Sequence, residues 1–160
     1  MGDEGVAQGT RGADEDGLVD ALAQAAFATV AALNRVGAEH DLSLTQLRVL
    51  GILRDRQVRI SALADHLGLE RSSTTGLVDR AERRGLLRRV PGATDGRSVE
   101  VSLSADGVVL AGRLEAAIRR SLAPLTSRLG PADRRRLQLL LERMLGADPR
   151  LSDPGGKVGS

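Results

Sequence analysis

Four hydroxyl side chains stand in a row at Ser72, Ser73, Thr74 and Thr75, with Arg71 before them and Arg80, Arg83 and Arg84 after. Hydroxyls donate to or accept from either edge of a base pair. Arginines pair with phosphates, often through two parallel hydrogen bonds. Gly76 in the same segment lets a backbone come close. Further on, Asp95-Gly96-Arg97 has the composition of a tight turn and puts Arg97 at a hairpin tip. An arginine there can enter a narrow minor groove, where negative potential is strongest, with Asp95 to hold it. This chemistry recognises double-stranded DNA and breaks no bond.

Other chemistries find little support. The chain has no cysteine, so disulfides, thiolate zinc sites and thiol redox sensing are excluded. His40 and His66 are its only histidines. No nucleophile–base pair and no Gly-rich phosphate loop is recognisable. We therefore expect no catalytic residues, no metal site and no cofactor.

The elements that must position these residues follow from periodicity. A helix is expected from about Gly17 to His40, with Leu18, Leu22, Val30, Leu33 and Val36 along one stripe. A second opens at Ser43 or Thr45 and buries Leu47, Leu50 and Leu53. A short one covers 61–67, is capped at about Ser61 and stops at Gly68. The next runs from about Arg71 to Arg84. Its Thr74, Leu77, Val78 and Ala81 recur at helical spacing and form a core face. Ser72, Ser73, Thr75, Gly76, Asp79, Arg80 and Arg83 face outward, and Gly85 ends it. Leu86–Val90 and Val99–Leu103 then alternate as two strands of a hairpin. Ser104 caps a long helix that Pro124 should kink or interrupt. Pro131 opens a last helix striped by Leu137, Leu140, Leu141, Met144 and Leu145.

The fold class is thus mainly α with a small β-hairpin wing. It is a winged helix-turn-helix flanked by N- and C-terminal dimerisation helices, in the order α-α-α-α-β-β-α-α. Residues 43–103 form the winged domain, and 17–42 and 104–146 the helical dimerisation region. Residues 1–16, acidic and poor in apolar side chains, form a disordered tail. Residues 147–160, with Pro149 and Pro154, form another. The terminal helices carry more apolar surface than so small a domain can cover, and a second copy of the chain is the direct way to bury it. The expected partners are double-stranded DNA and a homodimer mate.

Composition sets bounds on this reading. At 160 residues the chain fits one domain with an extension. Phe27 is its only aromatic residue, so the core must be aliphatic. Net charge is only +2, but residues 1–20 hold a net −5 and residues 48–97 a net +5. Residues 113–143 are also +5, so charge alone does not locate the DNA site. Residues 1–16 lack the apolar run of a signal peptide, and no apolar run reaches ~18 residues. We expect a soluble, cytoplasmic protein with no membrane partner.

The chain resembles the MarR family of dimeric winged-helix regulators. The matching segments are Leu44-Thr45-Gln46-Leu47-Arg48-Val49-Leu50 and Leu63-Ala64-Asp65-His66-Leu67-Gly68-Leu69. They continue with Leu77-Val78-Asp79-Arg80-Ala81-Glu82-Arg83-Arg84-Gly85-Leu86, the wing Asp95-Gly96-Arg97, and Val101-Ser102-Leu103-Ser104-Ala105-Asp106-Gly107. The resemblance covers about 17–146. Ala81, where a Leu is usual, and Glu70, where a Ser or Thr cap is common, depart from it. It implies a homodimer on a near-palindromic operator, often its own promoter, acting as a ligand-responsive repressor. The implied DNA contacts are Ser61, Arg71, Ser72, Ser73, Thr75, Gly76, Arg80, Arg83, Asp95, Gly96 and Arg97. It also implies an effector of aromatic-acid type, with Phe27, His40 and Arg48 in the matching region. The alternative is a winged helix that docks other proteins and has no specific DNA affinity.

Overall fold

The computed structural model describes residues 5–92 and 99–146, and side chains from residue 16 onward. Six helices and a three-stranded antiparallel sheet make up the described chain. Helix α1 (Gly5–Ala38) is the longest element. It begins ahead of the Gly17 start that the apolar stripe gave, so part of the expected tail at 1–16 belongs to it. Its segment Asp16–Ala38 is long and apolar enough, by length and composition alone, to cross a bilayer. That corrects the expectation that no stretch would qualify. The stretch is rich in alanine, so its mean hydropathy is high although polar residues break every continuous apolar run.

Helix α1 ends where Leu42 and His40 donate backbone hydrogen bonds to the Gly37 carbonyl, at 2.9 and 3.0 Å. A Cβ at Gly37 would lie 2.4 Å from the Leu42 carbonyl oxygen, so this corner requires glycine. Helix α2 (Leu44–Leu53) starts at a full capping box. Ser43 Oγ accepts from the Gln46 amide, and Gln46 Oε1 accepts from the Ser43 amide. Ser43, not Thr45, is therefore the cap.

Strand β1 (Val58–Arg59) has no counterpart in the sequence reading. It is two residues long and exists by pairing with β3, Val58 with Val101 and Arg59 with Glu100. It runs directly into α3 (Ile60–Leu67). Ser61 is not the cap: the cap position is Arg59, and no side chain bonds there. Gly68, at φ +66°, closes α3, with Leu69 donating back to the Ala64 carbonyl. Helix α4 (Arg71–Arg83) ends the same way at Gly85, φ +73°. Strands β2 (Leu87–Pro91) and β3 (Val99–Leu103) pair with Leu87 opposite Leu103. The sheet order is β1-β3-β2. Strand β2 starts one residue later than expected.

Helix α5 (Ala105–Thr126) is capped by Ser104, whose Oγ accepts from the Gly107 amide at 3.0 Å. It continues through Pro124 to Thr126, because the proline falls in the final turn. Helix α6 (Pro131–Gly146) opens on its proline as expected. The core is aliphatic throughout. Leu53, Leu63, Val49, Val78 and Val101 are its largest fully buried apolar side chains, contributed by α2, α3, α4 and β3. Helix α5 packs on α1 and α2. Helix α6 buries none of its residues within the chain, and Leu139, Leu140 and Met144 are about half exposed.

Candidate nucleic-acid interface

Two helices joined at Gly68 set the candidate surface. Helix α4 is anchored by Thr74, Leu77, Val78 and Ala81, all buried, with Thr74 and Val78 fully so. Thr74 satisfies its hydroxyl by donating to the Glu70 carbonyl at 3.1 Å. The anchored face fixes what the opposite face shows. Arg71, Ser72, Ser73, Arg80 and Arg83 are exposed there, and Thr75 and Gly76 are half-buried. Thr75 donates to the Arg71 carbonyl at 2.8 Å, which leaves its oxygen able to accept. Gly76 lies under Arg80: a Cβ at Gly76 would stand 3.4 Å from Arg80 Nη1.

Ser61, exposed on α3, joins this surface from the side. Together with Arg59, Ile60, Arg71 and Val99 it lines a cavity of about 290 Å³. Arg59 was not among the sequence candidates. It is brought here by β1, the element that the sequence did not reveal. Asp95, Gly96 and Arg97 lie outside the described residues.

Asp79 belongs to the outward side of α4, but it is not open. Arg89 of β2 pairs with Asp79 at 2.5 Å and with Glu82. Its guanidinium pKa is held above the usual arginine range. The hydrogen bond that Arg89 donates to Asp79 is the largest cause; burial opposes it, and the charges of Glu82 and Asp79 add to it. Arg84 reaches away from this face and donates to the Asp41 carbonyl at 3.0 Å, tying the end of α4 to the corner after α1. Asp41 sits there at φ +55°.

The three effector candidates lie on α1, on the corner after it and on α2. Phe27 is 70% exposed on α1. His40 is half-buried in the corner after α1. Arg48 donates to the His66 carbonyl at 2.6 Å and so braces α2 against α3. A separate cleft of about 180 Å³ lies between α2 and α5, lined by Leu47, Leu50, Gly51, Ala111, Leu114 and Ile118. Arg54 and Glu115 also line it, and they pair at 3.2 Å. Among the described residues, no group of three or more His, Asp or Glu is placed to hold a metal ion.

Residues 40–98 match the family model described as the MarR family. Over that segment the chain is similar to the MarR family. The chain is 28% identical over 131 residues to the homoprotocatechuate degradative operon repressor of Escherichia coli. That match covers 81% of the chain and 88% of the repressor. It is 38% identical over 65 residues to the HTH-type transcriptional regulator YfiV of Bacillus subtilis, where it spans only 41% of the relative's length. Among solved structures it is similar to NadR in complex with 4-hydroxyphenylacetate. There the TM-score is 0.68 and the identity 25%, over 79% of this chain and 88% of that one. The relatives are named as regulators of transcription, not as enzymes.

Proposed function

We infer that this chain is a homodimeric transcriptional repressor of the MarR family that binds near-palindromic operators, its own promoter included, and that releases them on binding a small acid. One observation carries the DNA-binding half. Helix α4 is locked by a fully buried face and turns its small hydroxyls and its arginines outward together. A helix so held fits the ~12 Å major groove, with its N-terminal residues nearest the base edges. Ser72, Ser73 and Thr75 read bases, while Arg71, Arg80 and Arg83 neutralise phosphates. Ser61 and Gly76 allow close approach, and Asp95, Gly96 and Arg97 supply the minor-groove contact.

The dimer is supported by apolar surface that the chain leaves uncovered. Leu18, Val19 and Leu22 of α1 and Leu139, Leu140 and Met144 of α6 are all more than 40% exposed. Single exposed apolar residues are ordinary, but contiguous rows on two helices mark an interface. The reading places the protein in the cytoplasm, where its DNA is.

The effector is a single-ring carboxylic acid. The similarity to NadR, solved with 4-hydroxyphenylacetate, and to a repressor named for homoprotocatechuate degradation supports that class. The cleft between α2 and α5 fits it in size: an apolar cavity of ~150 Å³ takes up benzene. Arg54 at its edge supplies the cation for a carboxylate. Phe27, His40 and Arg48 remain as the part of the site nearer the dimer partner.

The test is fluorescence anisotropy at physiological salt. It compares a duplex from the region upstream of the protein's own gene with a scrambled duplex of equal length. A preference of ~10³-fold or more is expected. Equal, weak binding to both would move the operator elsewhere in the genome. No binding to either at low salt would leave a winged helix that docks proteins.

A further inference from the structure

Arg89 stands on β2 and turns both ends of its guanidinium back to α4, one to Asp79 and one to Glu82. These carboxylates are three residues apart and so share one face of the helix. They also alternate in sequence with Arg80 and Arg83, the candidate phosphate contacts. Helix α4 therefore carries two negative charges within one turn of Arg80 and Arg83. A bare carboxylate so close to them opposes the approach of a phosphate.

The three side chains are 34–45% exposed, and ion pairs that open to water add little to stability. Holding the fold together is thus a weak reason for the arrangement. Its geometry offers a better one. A single guanidinium spans both carboxylates, and no arginine of α4 itself is used up in doing so.

We propose that Arg89 acts as a charge mask: by pairing with Asp79 and Glu82 it raises the net positive charge that α4 presents to a DNA backbone. Arg89 is then a positioning residue that works through its two acids, not a phosphate contact. The proposal rests on the DNA-binding reading.

Anisotropy of the full chain with a mixed-sequence duplex of about 30 base pairs, from about 50 to 200 mM salt, tests it. Arg89→Met should weaken binding about fivefold or more at low salt. The triple variant Arg89→Met/Asp79→Asn/Glu82→Gln should bind as tightly as the unaltered protein or tighter, because no acid is left to mask. Circular dichroism confirms that each variant is folded. If Arg89→Met does not fold, the triple variant, which leaves no carboxylate bare, carries the comparison alone. Unchanged binding by a folded Arg89→Met overturns the proposal. A folded triple variant that stays weak also overturns it, since Arg89 would then contact phosphate or brace the wing. An unaltered protein that binds no duplex overturns the DNA-binding reading, and this one with it.

Discussion

Gly107 lies directly against the carbonyl of Leu86: a Cβ at residue 107 would stand 2.0 Å from that oxygen. The same carbonyl accepts a hydrogen bond from the Ser104 amide at 3.0 Å, and Ser104 Oγ donates to the Gly85 carbonyl. The end of α4 and the start of α5 are therefore one joint. Gly107→Ala should push them apart and cost about 1–3 kcal/mol, the usual penalty of overpacking. Urea unfolding monitored by circular dichroism measures it. A variant as stable as the parent would show that the joint yields freely.

Arg80→Ala and Arg83→Ala should each weaken duplex binding by similar factors on cognate and scrambled DNA. Each should also reduce the slope of log affinity against log salt by about one. Ser72→Ala and Ser73→Ala should leave that slope alone and change the sequence preference instead. Titrations at four salt concentrations separate the two behaviours. A serine variant that lowers the slope would reassign that serine to the phosphates.

Leu140→Glu with Met144→Glu should produce a folded monomer. Both residues are about half exposed within the chain, so charge there costs the isolated fold little. Sedimentation equilibrium reads the change. A variant that still sediments as two chains would move the interface away from α6.

Gly51 lines the cleft between α2 and α5, and a Cβ there meets nothing within 4 Å. Gly51→Ala should therefore stabilise the protein by about 0.5–1 kcal/mol, through the lower backbone entropy of the unfolded chain. Gly51→Leu should fill the cleft. Single-ring acids such as 4-hydroxyphenylacetate should then no longer release DNA, while duplex binding without the acid is kept. Continued release by the acid would exclude this cleft as the effector site.

The parts of the fold that the sequence revealed are those set locally. Ser43 and Ser104 are caps because a hydroxyl three residues ahead of an amide can close it. Gly68 and Gly85 are helix ends because their backbone is left-handed. The core face of α4 was plain from the spacing of Thr74, Leu77, Val78 and Ala81. What stayed hidden depends on residues far apart in the chain. Two residues, Val58 and Arg59, carry no strand signal of their own and become β1 only beside Val101 and Glu100. Ser61 looked like a cap because a hydroxyl near a helix start usually is one, but β1 extends the helix to Ile60 and leaves Ser61 inside it. Asp79 was legible as an outward residue. Its pairing with Arg89, ten positions on, needed the turn of β2 back over α4.

The joint at Leu86 and Gly107 also sets how motion passes through the molecule. Helix α5, with 22 residues, is a rod of roughly 33 Å fixed at one end to the exit of α4. Rods held so tightly at one end act as levers. A tilt imposed at the Thr126 end is felt at the Gly107 end, where the start of α5 is bonded to the exit of α4.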